Sequence, residues 1–299
     1  MFIIMALGYY LRRNDFFTDD AVKQINTLIF RLLIPIHIFR SCYQSDLRQA
    51  FQVRFILWCV AISIGGYALL ALIVSRTLRS YQKQGALLQG MFRGNIVLMG
   101  LAVMEAVFGK EHTGLMAVSL AFLVPLYNVL AVLTLEMFRG GKIQLGSTVR
   151  EMIKNPLLLS CLLGVAANLI GISLPGVLAK SIDSLAPVAT PIALLTLGAS
   201  FHVESIQKDK ALIVAGTIVK LIVWPLFAVV VGVIVGFRGV ELGTIMILFS
   251  APTAVTSFPM AEQMGADSDL AASLIVFTGI LSCLTIFLWL FVLLQCRLI

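Results

Sequence analysis

Long apolar stretches alternate along this chain with short polar joints, and the stretches are close to the length that crosses a bilayer. Windows of roughly 20 apolar residues fall at 1–11, 22–43, 54–75, 84–108, 114–138, 152–172, 178–201, 210–236, 241–263 and 269–296. Ten membrane helices are therefore expected. The first stretch is short. Its eleven residues cover half of a roughly 30 Å hydrocarbon core at about 1.5 Å each, so an earlier start, with this helix truncated, is expected.

Two of the ten stretches carry residues that a lipid-embedded helix does not tolerate easily. The ninth runs through FSAPTAVTSFPMAEQMGAD at 249–267, with Pro252 and Pro259 flanking Thr253, Thr256 and Ser257. Each proline removes a donor and clashes one turn back. Lipid offers no replacement partner, so carbonyls freed at that depth must face protein or a water-filled cavity. The fourth contains MFRGNIVLMGLAVM at 91–104, where Arg93, Gly94, Asn95 and Gly100 interrupt the apolar run. Both stretches are expected to be broken helices, the arrangement whose half-helix ends hold ions in transporters.

These two stretches are also related to each other. Gly8 and Gly164 each sit in an apolar Leu-Gly step 156 residues apart, and Pro35 and Pro191, each before Ile, repeat that offset. In the fourth and ninth segments the offset becomes 157, matching Asn95 with Pro252, Gly100 with Ser257, Ala102 with Pro259 and Glu105 with Glu262. This predicts a duplication. Five segments per copy is an odd number, so the second copy must enter the membrane upside down, which puts a substrate site near the midplane between the copies. The expected division is a first repeat at 1–138, a cytoplasmic linker at 139–150 and a second repeat at 151–299.

Composition agrees with the pattern. The chain is 60% hydrophobic and 12% charged, with mean hydropathy +1.00, against roughly 25% charge in soluble proteins. The fold class expected is an all-α polytopic membrane protein. The net charge of +7 is read as topology, because the basic residues form no run of the kind that binds nucleic acid. With the N-terminus outside, twelve of the 22 basic residues lie at cytoplasmic ends and seven at outer ends, which favours both termini outside. The five cysteines have no metal-ligand spacing and read as packing.

Three basic residues remain inside segments: Arg31, Arg93 and Lys220. An intramembrane charge is costly and marks a functional candidate. Arg31 is near enough to a helix end to snorkel; Arg93 and Lys220 are not. No carboxylate is central, since Glu105, Glu136 and Glu262 all fall near segment ends. Unmatched positive charge suits an anionic ligand and weakens a sodium site, although Thr253, Thr256, Ser257 and Asn128 could supply oxygens. His37, one turn from Pro35, reads as an interface histidine. No P-loop, HExxH or GxSxG motif occurs, so neither an ATP-driven pump nor an enzyme is expected, and no cofactor or metal.

The stretches LIFRLLIPIHIFRS at 28–41, FRGNIVLMGLA at 92–102, KNPLLLSCLLGVAANLIGISLP at 154–175, PVATPIALLTLGASF at 187–201 and SAPTAVTSFPMAEQMGAD at 250–267 resemble the auxin efflux carrier family. That family includes plant auxin exporters and bacterial permeases for malonate, malate and related acids. The resemblance covers essentially the whole chain. It implies ten helices in two inverted five-helix repeats, with helices four and nine broken and crossing. It also implies a scaffold of helices one, two, six and seven, often dimeric, against which a transport bundle moves. In the family the fourth-helix asparagine lies at the crossover near the substrate carboxylate, and Asn95 holds that position here. Two departures stand out: Ala102 replaces a common family proline, and the residues before the first LGY step are missing. The long central loop of many plant exporters is absent, which makes the short bacterial carriers the nearer comparison.

The expected function is secondary transport of a small organic anion across a bacterial cytoplasmic membrane by alternating access. The substrate contacts expected are Arg93, Gly94, Asn95, Pro252, Thr253, Thr256 and Lys220, with a proton or sodium as coupling ion and a homodimer as the assembly. Two rivals stay open: a sodium-coupled carrier of larger organic acids on a bile-acid-symporter-like plan, and a non-transporting sensor on a transporter fold.

Overall fold

The computed structural model describes residues 1–44, 53–109, 112–139, 155–201 and 203–299. Most of the 139–150 linker lies outside the described residues, as do the basic positions Arg48, Lys110, Lys142, Arg150 and Lys154, and His202. Helices account for nearly all of what is described. They are α1 Phe2–Arg13, α2 Asp19–Tyr43, α3 Val53–Thr77, α4 Tyr81–Phe92, α5 Ile96–Phe108 and α6 Thr113–Arg139. After these come α7 Pro156–Ile170, α8 Gly176–Ala199, α9 Ile206–Val235, α10 Gly239–Ser250, α11 Ser257–Gln263 and α12 Ser268–Gln295. Among the described residues there is no β-strand, and an isolated antiparallel bridge joins Gly94 to Thr253. Six helices, α2, α3, α6, α8, α9 and α12, are long and apolar enough to cross a membrane.

Helix boundaries follow local chemistry. The Thr18 hydroxyl accepts from the Ala21 amide at 3.2 Å, and Asp19 and Asp20 occupy the first turn of α2. Asn155 caps α7 ahead of Pro156, and Asp267 caps α12 through the Leu270 amide at 2.9 Å. Such caps satisfy amides that the helix itself leaves free. Helices α7 and α9 end on left-handed glycines, Gly171 and Gly236, the usual way of closing the last turn.

In two of the long helices the turn before a proline is widened. Ile29–Leu33 in α2 and Val219–Val223 in α9 are π-helical, and they run up to Pro35 and Pro225 respectively. Pro225 cannot donate to the carbonyl of Leu221, one turn back. The Trp289 indole of α12 takes that place, donating to the Leu221 carbonyl at 3.0 Å.

The helices sort into two packed groups. In one, α1 lies along α8 and α2 along α7; in the other, α3 to α6 pack with α9 to α12. Backbones touch in the first group. A Cβ on Gly8 would fall 2.0 Å from the Leu195 carbonyl oxygen, and one on Gly164 would fall 2.7 Å from that of Phe39. Only glycine permits this approach, which is the small-residue packing that membrane helices favour. The groups meet where α2 contacts α6 and α11, and where α6 contacts α7. There Asn26 of α2 donates to the Glu262 carboxylate, and Gln263 donates to the Thr27 hydroxyl at 3.1 Å.

Candidate functional site

Two helices are interrupted inside the second group, and the interruptions meet. The first is residues 93–95, between α4 and α5; the second is residues 251–256, between α10 and α11. Ala102, where a family proline is common, lies within unbroken α5. Gly94 and Asn95 thus open the first break without a proline. In the second, Pro252 sits in the gap, whereas Pro259 falls in the first turn of α11, where a missing amide costs nothing.

At their meeting point each break supplies what the other lacks. The Asn95 amide donates to the Pro252 carbonyl at 2.6 Å, and the Ala254 amide to the Arg93 carbonyl at 3.1 Å. The carbonyls at the end of α4 find side chains. The Thr253 hydroxyl donates to the Gly90 carbonyl at 2.8 Å, and the Lys220 ammonium to the Phe92 carbonyl at 3.4 Å. The Thr253 amide donates to the Thr278 hydroxyl at 3.1 Å. Orphan backbone groups away from water must be satisfied in this way. A cation at a helix C-terminus is favourable as well, which fits Lys220, only 1% exposed, to the end of α4.

Arg93 is 6% exposed. Its guanidinium reaches the Met260 sulfur and the Asn128 side-chain oxygen, each at 2.8 Å. Among the described residues, the ion pairs involve other cations, and no carboxylate pairs with Arg93 or Lys220. Asn95 is 9% exposed. Its side-chain nitrogen is buried without a hydrogen-bond partner, a state rare enough in folded proteins to need an explanation.

Beside these groups lies a cavity of about 70 Å³. That is room for a few waters, each with a share of about 30 Å³ in the liquid, or for one short carboxylic acid. One wall is the first helix group: Ile34, His37, Ile38 and Ser41 of α2, with Thr190 of α8. The other wall is Arg93 to Val97 and Ala254 to Thr256 from the two breaks, with Val124, Tyr127 and Asn128 of α6. The cavity therefore lies at the seam between the helix groups.

Of the residues expected from sequence to contact a ligand, Arg93, Gly94, Asn95 and Thr256 line this cavity; Pro252, Thr253 and Lys220 do not. Those three stand behind the breaks, where they bond freed backbone groups. Arg31 is exposed. Residue type alone singled out neither Tyr127 nor Thr190, and His37 was read as an interface residue; the cavity brings all three to one wall or the other. The signal for Tyr127 was its place beside Asn128, mid-segment. Among the described residues, no cluster of three His, Cys, Asp or Glu side chains could hold a metal.

A family model described as a membrane transport protein matches residues 1–290. An uncharacterized transporter of Methanocaldococcus jannaschii is 23% identical, covering 98% of this chain and 96% of its own. A protein named "Putative malonate transporter" from Rhizobium meliloti is 26% identical, covering 95% of this chain and 91% of its own. The auxin efflux carrier component 5 of Arabidopsis thaliana is 22% identical, covering 94% of this chain and 91% of its own.

Proposed function

Since the chain belongs to the auxin efflux carrier family of membrane transport proteins, we propose that it is a secondary carrier of a small organic anion, a carboxylate of the size of malonate. It is a multi-pass membrane protein and a transporter by family; the substrate class and the mechanism are our reading. The observation that carries it is Asn95, whose side-chain nitrogen is buried with no partner, in a residue that lines the same cavity as Arg93. A carboxylate supplies the acceptor that the amide lacks and the counter-charge that Arg93 lacks. Ile96 and Val97, the first residues of α5, line the same cavity, and a helix N-terminus favours negative charge.

The mechanism follows from where the cavity lies. One helix group holds α2 and α8, the other both breaks. Movement of one group against the other opens the seam to each side in turn, while the carboxylate stays with Asn95.

Ten passages as two inverted halves underlie this motion. Packing supports that arrangement: Gly8 abuts Leu195 and Gly164 abuts Phe39, and both the glycines and their partners are 156 apart. We place the protein in a bacterial cytoplasmic membrane with both termini outside, as a homodimer. The relative named for malonate supports a short dicarboxylate, as does the cavity volume.

The test is flux into liposomes over a panel of short carboxylates, with proton and sodium gradients imposed separately. Saturable uptake of at least one short acid is expected. Silence across the panel overturns the reading, and flux without saturation makes the protein a channel.

A further inference from the structure

His37 is the titratable side chain on the α2 and α8 wall of the cavity. Its Nδ1 lies 3.1 Å from the Ala186 carbonyl oxygen of α8. A carbonyl only accepts, so Nδ1 carries the proton in that bond, and the tautomer is fixed. The other nitrogen, Nε2, makes no hydrogen bond with the described residues. It is a lone pair when the ring is neutral and a second donor when the ring is charged.

The charged groups around it are unevenly distributed. Arg93 faces it across the cavity from the first break, and Arg40 follows it by one turn on α2. Arg40 is held by Asp183 of α8 at 2.6 Å. Tyr127 of α6 lines the cavity; Glu262 of α11 meets α2 three turns away, at Asn26. Among the described residues, no carboxylate lines the cavity. A second positive charge there therefore has its counter-charge only when an anion is bound, so proton and anion strengthen each other's binding reciprocally.

We propose that His37 is a substrate-positioning residue that takes up one proton at Nε2 as the anion binds, donates it in a hydrogen bond to the carboxylate, and releases it to the far side with the anion. This rests on the carboxylate reading above, and it names the coupling ion. Asn95 and Arg93 hold the anion from one wall, His37 from the other.

The test uses the purified full chain with malonate as probe. Calorimetric titration at pH 7.5 in buffers of different ionisation enthalpy counts protons taken up on binding. About one proton per malonate is expected for the wild-type protein, by one-for-one linkage. His37→Gln, whose amide can still donate to Ala186, is expected to take up none. In liposomes with the membrane potential clamped at zero, a one-unit pH gradient should accumulate malonate about tenfold, the value for one proton per anion. His37→Gln should lose that accumulation. Malonate binding by the wild-type protein without proton uptake overturns the role of His37 and leaves the carboxylate reading standing. Uptake unchanged in His37→Gln overturns it too. Absence of binding and flux for malonate and for the rest of the short-acid panel overturns both.

Discussion

The amide of Asn95 donates to the carbonyl of Pro252 at 2.6 Å, so the two interrupted helices are tied together at residues 157 apart. That is the pair matched between the fourth and ninth segments by the internal offset. A residue bonded to its own counterpart lies where the two-fold axis of the proposed inverted halves would run. Pro252 has no amide to return, but its carbonyl is free because α10 has already ended. The bond removes one orphan from each break, and it leaves the Asn95 side chain available to the cavity.

Lys220 is expected to matter for stability more than for affinity. Its ammonium donates to the Phe92 carbonyl and does not line the cavity. Lys220→Met should destabilise the protein by about 1–3 kcal/mol, the cost of a buried acceptor left unpaired, seen as a lower Tm in detergent. An unchanged Tm with a raised KM would place Lys220 on the substrate instead.

Arg93 is expected to sense substrate charge. Arg93→Met should raise KM for a dianion such as malonate by about tenfold or more, given a Coulomb term of several kcal/mol at close range. The rise should be smaller for a monoanion such as acetate. Equal effects on both acids would make Arg93 a packing residue only.

Gly94 has little room. A Cβ there would sit 3.2 Å from both the Ile96 side chain and the Lys220 nitrogen. Gly94→Ala should be tolerated with a small loss, while Gly94→Val should cost about 1–3 kcal/mol through overpacking. Thermal unfolding of the two variants checks this order, and a valine variant as stable as the alanine one would contradict it.

Much of the architecture is legible in the pattern of apolar positions. Each of the ten stretches falls on one helix, or on the pair α4 and α5 or α10 and α11, because a membrane segment satisfies its own backbone and its length is set locally. The breaks were legible too, from Gly94, Asn95 and Pro252. What the sequence hides is which freed carbonyl meets which side chain. Thr253 and Lys220 look like ligand contacts by residue type, yet their hydrogens go to Gly90 and Phe92. That outcome depends on α9 and the second break packing against the end of α4, a long-range relation with no local signature. The part His37 plays is hidden for the same reason: only the packing of α2 against α6 and α8 turns that stretch of helix into a cavity wall.

The most direct measurement is malonate uptake into liposomes by wild-type protein and by Asn95→Ala, matched for amount and for Tm. Losing hydrogen bonds to a charged carboxylate costs about 1.5–3 kcal/mol, so the account predicts a fall of about tenfold or more in saturable flux at limiting malonate. Equal flux from the two proteins would contradict it.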